Sequence, residues 1–309
     1  MHDAIERLRR NIGTVFLGNP GAIDAAICCL LARGHLLIED VPGVGKTILA
    51  SAIARSVECS FSRIQLTPDM MPTDVLGVSI YEKDSGQFVF KPGAIFANIV
   101  LADEINRTTP RTQTALLEAM NEGSVSVDGR VLTLDQPFMV IATQNPYEFE
   151  GTYLLPENQL DRFLMRIDVG YPSPADEARV IELRPASTPL HDLRPIMHKE
   201  DVIRLQQAVD AVRLDRTLVD YIVSLANATR RHEAAQVGLS PRGSLALAQA
   251  ARAAALIDGR DYVIPEDITS NIIRVCAHRV IPRAAVAETE GNASRRILED
   301  SIRAVASPL

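Results

Sequence analysis

Residues 40–47 read Asp40-Val-Pro-Gly43-Val-Gly45-Lys46-Thr47. The pattern matches G-x-x-x-x-G-K-[ST], with Asp40 in the place of the first glycine. These residue types at this spacing suit the holding of a polyphosphate. The amides of Gly43, Val44, Gly45, Lys46 and Thr47, with Ile48 next in line, can converge on phosphate oxygens at a helix N-terminus. Gly43 and Gly45 permit torsions and a close approach that a Cβ would hinder. Lys46 would reach the β and γ phosphates, and the Thr47 hydroxyl would coordinate Mg2+. Asp40 fits such a loop if its side chain faces away from the phosphate.

Two further motifs follow. An apolar run over 98–103 ends in Asp103-Glu104. Asp103 there would hold the Mg2+ shell, directly or through water. Glu104 would polarise an attacking water, as general base or as its positioner. A second apolar run, 138–143, leads to Gln144-Asn145. An amide on the strand beside the P-loop strand can touch the γ-phosphate or the water. The chemistry open to the set is Mg2+-dependent hydrolysis of ATP.

Positioning these groups takes strands and helices in alternation. The spacing of Ile23, Ala26, Ile27, Leu30 and Leu31 predicts a helix over 22–32, ended by Gly34. Residues 35–39 then read as a buried strand, and 48–57 as a helix. Strand, glycine turn, helix begins a parallel α/β sheet. Residues 113–120 read as a helix. Hairpins are expected over 124–134, turning at Asp128-Gly129, and over 79–90, turning near Asp84-Ser85-Gly86. After residue 174 helices take over, at 199–212, 215–233, 242–258 and 265–279. Three prolines in 184–195 mark a linker. The expected organisation is an α/β core over 1–184 and a linker with a helical domain over 185–309.

Composition sets the wider bounds. The 309 residues are 47% hydrophobic and 23% charged, enough for one large or two modest domains. A net charge of −7 argues against nucleic acid as the main partner, since phosphate binding needs a basic face. The first ten residues lack the apolar core of a signal peptide. The apolar run over 25–31 is too short to span a bilayer, so no membrane insertion and a cytoplasmic location are expected. Cys28, Cys29, Cys59 and Cys276 form no C-x-x-C pair and read as free thiols.

The motifs in this order resemble the AAA+ superfamily, and its MoxR family in particular. The similarity extends to Gly34-His35, Asp103-Glu-Ile-Asn-Arg107, the 113–120 helix, Ala142-Thr-Gln-Asn-Pro146, Glu150-Gly-Thr-Tyr153 and Gln159-Leu-Asp-Arg-Phe163. In the second half it covers Ser240-Pro-Arg242 and the 258–267 stretch. The family's Val-x-Gly-Gln segment near the adenine is here Phe16-Leu17-Gly18-Asn19. The resemblance implies a P-loop core of AAA+ type with a parallel sheet, followed by a small all-α lid. It makes Asn145 the sensor 1 residue, Arg162 an arginine finger reaching a neighbouring subunit's γ-phosphate, and Arg242 the sensor 2 residue. In relatives a polar residue ending the second core strand restrains the Walker B glutamate; Gln65 or Thr67 would hold that place. The two hairpins resemble the helix 2 insert and the pre-sensor 1 hairpin, which line or crown a central pore in relatives. A homo-oligomeric ring of six subunits is implied. So is a protein client, with von Willebrand factor A domain proteins among the family's partners.

Three classes of function stay open on the sequence: an ATP-driven chaperone-like remodeller or maturation factor, a nucleotide-gated scaffold, and a nucleic-acid motor. Glu104 and Arg162 count against the scaffold, which needs neither. The acidic chain and the uncharged balance of the Asp128-Gly129-Arg130 tip count against the motor.

Overall fold

The computed structural model describes residues 1–41, 43–145, 153, 155–182, 190, 192–283 and 290–308. Two helices lead in, α1 (His2–Gly13) and α2 (Pro20–Leu31), the second capped by Asn19 Oδ1, which accepts the Gly21 N–H. Strand β1 (Leu36–Glu39) passes through the glycine turn into α3 (Lys46–Ser56), and β2 (Phe61–Gln65) follows. A short helix α4 (Pro72–Leu76) precedes the hairpin of β3 (Gly77–Glu82) and β4 (Gln87–Pro92). Then come β5 (Ile99–Asp103), α5 (Pro110–Glu122) and the hairpin of β6 (Ser124–Val127) and β7 (Arg130–Thr133). Strand β8 (Met139–Gln144), helix α6 (Glu157–Leu160) and strand β9 (Met165–Ile167) complete the sheet.

The main sheet has the order β2-β5-β8-β1-β9, all parallel. Its central strands β5, β8 and β1 are apolar on both faces, as a parallel sheet covered on both sides requires, while the edge strand β2 is largely exposed. Alternate residues divide cleanly. Leu36, Ile38, Ile99, Leu101, Met139 and Ile141 pack with α1, α2 and α3. Leu37, Val100, Ala102, Val140 and Ala142 pack with Leu116, Leu117 and Met120 of α5. The period of two thus decides which layer covers which residue.

After the sheet the chain forms α7 (Pro174–Glu182), α8 (Lys199–Ala211), α9 (Arg216–Arg231) and α10 (Pro241–Ile257), then α11 (Pro265–Thr269), α12 (Ile272–Cys276) and α13 (Glu290–Ala304). The helix expected over 265–279 is thus broken at Ser270-Asn271 and ends in a 3-10 turn, Ala277–Arg279. His278 and Arg279, in that turn, are both buried. A short antiparallel pair, β10 (Ala235–Val237) with β11 (Ile281–Pro282), also joins this helical half. Strands this short carry no readable alternation.

The expected boundary at 184/185 lies outside the described residues. One apolar cluster joins α1 and α2 to Val202 and Leu205 of α8, Leu225 of α9 and Leu247 of α10. Gln206 Nε2 donates to the Leu30 carbonyl at 2.8 Å across this contact.

Gly34 closes the end of α2 through its N–H, which donates to the Cys29 carbonyl at 2.8 Å, while Arg33 before it takes the left-handed turn, φ 55°. Gly34 also allows close approach: a Cβ there would fall 2.4 Å from the Leu164 side chain. His35 is buried, and its Nδ1 accepts the Val140 N–H at 3.0 Å. That fixes the proton on Nε2, which donates to the Met120 carbonyl at 2.9 Å. The thiols of Cys28, Cys29 and Cys276 are buried and Cys59 is partly so; all four are free.

Candidate nucleotide site

The three motifs meet because each sits at the C-terminal end of a neighbouring parallel strand, where open α/β sheets place their ligand crevices. Gly43 and Gly45 have φ of 89° and 91°, in the left-handed region that glycine tolerates. They turn the chain from β1 directly into the first turn of α3. A cavity of about 340 Å3 opens there, lined by Gly43, Gly45, Lys46, Thr47, Ile48, Arg63, Gln65, Asp103, Glu104 and Asn145. Val44 is buried just behind it, and the Phe16 ring lies 3.4 Å from where a Gly45 Cβ would stand.

Lys46 Nζ donates to the Asp40 carbonyl at 2.6 Å. Partial burial pulls its pKa below the usual lysine range, against the opposing pull of Asp40, Asp103 and Glu104. The Asp40 side chain faces the other way. Its Oδ1 accepts the Val41 N–H at 2.7 Å, and its Oδ2 accepts Val169 N–H at 2.8 Å and Gly170 N–H at 2.6 Å. The departure from glycine therefore anchors the chain after β9 and leaves the cradle clear.

Asp103 ends β5 and is buried. Its Oδ1 accepts the Thr143 hydroxyl at 3.1 Å, and its Oδ2 accepts Arg63 Nε at 2.7 Å. Glu104 has φ 56°, a conformation costly for a side-chain-bearing residue and common at functional sites. Its N–H donates to Thr143 Oγ1 at 3.0 Å. Its carboxylate Oε2 accepts Gln65 Nε2 at 2.8 Å and lies 3.2 Å from Arg107 Nε. Of the two residues expected to restrain this glutamate, Gln65 makes the contact.

A magnesium nucleotide fits this donor set. Thr47 and Asp103 present hard oxygens to one cavity, leaving the remaining positions to phosphate and water, as Mg2+ prefers. Among the described residues no cluster of three His, Cys, Asp or Glu offers an all-protein cage instead.

Arg162 and Arg242 do not line the cavity. Arg162 follows α6, and its buried Nη1 has no hydrogen-bond partner among the described residues. Arg242, exposed at the start of α10, donates to Asn121 Oδ1 at 2.6 Å, and its Nε lies 3.6 Å from Asp161 Oδ2. Asp161 Oδ1 accepts Arg279 Nε at 2.7 Å. Arg279 is buried and also donates to the Phe163 carbonyl at 2.6 Å and the Leu164 carbonyl at 3.2 Å. Burial lowers its pKa, while Asp161 pulls it back up. Arg63 and Arg279 were not singled out by motif reading. The only signal for Arg63 was its spacing from Gln65, which puts both on one face of a strand. Of the segment 150–153 only Tyr153 lies within the described residues, and Pro146 lies outside them.

Comparison with known proteins agrees with this geometry. A family model described as the ATPase family associated with various cellular activities (AAA) matches residues 35–165, and an AAA lid domain model matches 227–301. Such a core and lid define the class, a AAA+ ATPase with a parallel α/β core and a helical lid. The chain is 42% identical to the chaperone MoxR1 of Mycobacterium tuberculosis, over 90% of this chain and 75% of that protein. It is 48% identical to the uncharacterized protein YeaC of Bacillus subtilis, over 100% of this chain and 96% of that one. A crystal structure from Cytophaga hutchinsonii superposes with a TM-score of 0.92 at 36% identity, covering 100% of this chain and 96% of that one. The chain belongs to the MoxR family of AAA+ ATPases. Among the described residues no helix is long and apolar enough to cross a membrane.

Proposed function

We propose that this protein hydrolyses Mg-ATP at the interfaces of a homo-oligomeric ring and uses the cycle to remodel protein clients. One observation carries the reading. The cradle, Asp103, Glu104 and Asn145 share one cavity, while Arg162 stands outside it. An arginine that serves a neighbouring subunit's nucleotide has to stand outside its own chain's cavity, and Arg162 meets that condition.

In this reading the α3 amides and Lys46 bind the polyphosphate. Bound Mg2+ would supply charge neutralisation on the phosphate oxygens, held by Thr47 and, directly or through water, by Asp103. Glu104 takes the proton of the attacking water and Asn145 orients that water. Arg162 stabilises charge spreading onto the γ-phosphate oxygens of the next subunit's nucleotide. Arg242, at the start of α10 and paired with Asp161, links the nucleotide to lid position. The core is assigned to residues 1–184 and the linker and lid to 185–309. The name of the Mycobacterium relative, a chaperone, supports the remodelling role. A cytoplasmic ring of six subunits and a von Willebrand factor A domain client complete the proposal.

The test is steady-state ATPase activity across protein concentration, with oligomer size followed in parallel. Specific activity that rises as larger species form is expected. Flat, low activity in a chain that binds ATP would favour a nucleotide-gated scaffold.

A further inference from the structure

Arg63 has no part in the reaction as assigned above, yet it holds an oxygen of Asp103, the acid assigned to the metal. It precedes Gln65 by two residues on β2, so both side chains leave the strand on the face that carries Asp103. One oxygen of Asp103 is engaged by Thr143, and the other accepts Arg63 Nε at 2.7 Å. Arg63 shares the cavity wall with Lys46, Thr47 and Glu104. The Arg63 side chain is 51% exposed and that of Asp103 only 10%. The acid is held in place; the base can turn away at little cost.

We propose that Arg63 and Mg2+ compete for Asp103 Oδ2. Arg63 neutralises the carboxylate and yields that oxygen when a magnesium nucleotide binds. A guanidinium and a divalent ion on one oxygen repel each other strongly at such short range. A half-exposed ion pair is too weak to withstand that repulsion. The competition makes nucleotide binding depend less steeply on Mg2+ than it would with a bare Asp103. Arg63 is a positioning residue in this scheme, acting through Asp103. The inference rests on the nucleotide site proposed above.

The experiment titrates a fluorescent ADP analogue into the full-length chain at graded free Mg2+, with an EDTA arm, for wild type and Arg63→Ala. The variant is expected to reach half-maximal tightening at roughly fivefold lower free Mg2+, a typical coupling between two ligands. In EDTA it should hold ADP more weakly than wild type, because Asp103 then faces the phosphates without a counter-charge. Arg63→Lys should stay near wild type in the EDTA arm. If Arg63→Ala does not fold, Arg63→Gln removes the charge with little change in size and carries the same titration. A neutral variant with the wild-type Mg2+ midpoint, or one weakened equally at every Mg2+ level, would overturn the inference. Wild-type protein that binds no nucleotide at any Mg2+ level would overturn the site reading and this inference together.

Discussion

Glu104 is gripped by Gln65 and Arg107 and set on a left-handed backbone turn, so its carboxylate has a defined place at the cavity. Replacing it with Gln keeps the size and the hydrogen-bonding edge but removes the base. Glu104→Gln should bind ATP about as well as wild type and lose roughly 10²–10⁴ in turnover. Unchanged single-turnover hydrolysis would remove Glu104 from the chemistry. His35 makes a different prediction, about stability. Burial pushes its pKa from the ordinary 6.5 down to about 4, so it folds neutral. Between those values the unfolded chain binds the extra proton. The stabilisation is therefore complete above pH 6.5 and lost as pH falls toward 4. Burial likewise pushes the pKa of His278 well down, with Arg279 adding to the effect, and it acts with the same sign. Melting temperature should fall over this range, and His35→Gln should flatten that slope; an equal slope in the variant would refute the assignment.

Among the elements, the 3-10 turn after the broken helix meets the segment between α6 and β9. Through it Arg279 reaches Asp161 and the carbonyls of Phe163 and Leu164, on the segment that carries Arg162. Arg279→Ala would leave Asp161 with only the longer Arg242 contact and remove the bonds to the Phe163 and Leu164 carbonyls. It should therefore cost about 2 kcal/mol or more in chemical denaturation. A loss below about 1 kcal/mol would mean that the lid docks by apolar contact alone. The 258–267 stretch has a similar structural role. Arg260 forms two hydrogen bonds of 2.7 Å to the buried Asp267, which also accepts the Ile264 N–H at 2.8 Å. The residues that mark the family there brace the lid and are not those that line the cavity.

At the scale of the whole molecule, the prediction concerns assembly. Arg162→Ala should bind nucleotide nearly as wild type does, while turnover falls by about 10³–10⁵, the usual contribution of an arginine supplied in trans. Mixing it with Glu104→Gln should restore some activity, since interfaces with an intact Glu104 and an intact Arg162 then form. No recovery, or nucleotide affinity falling with turnover, would place Arg162 outside that role. The parts of this arrangement that were legible in the sequence are the contiguous ones. A phosphate cradle is built from successive amides, so Gly43 to Thr47 had to be neighbours in the chain. The strands that lead to Asp103 and Asn145 announce themselves by apolar runs, because the middle of a parallel sheet is buried on both faces. Both hairpins were readable from their turns. What only the tertiary structure decided are pairings between distant segments: Arg63 with Asp103, Arg279 with Asp161, Asp40 with the amides after β9, and the choice of Gln65 over Thr67 at Glu104. Each depends on strand order or on how the lid docks, and neither leaves a periodic trace. Local chemistry follows from bonded neighbours, whereas these contacts exist only once the chain has closed on itself.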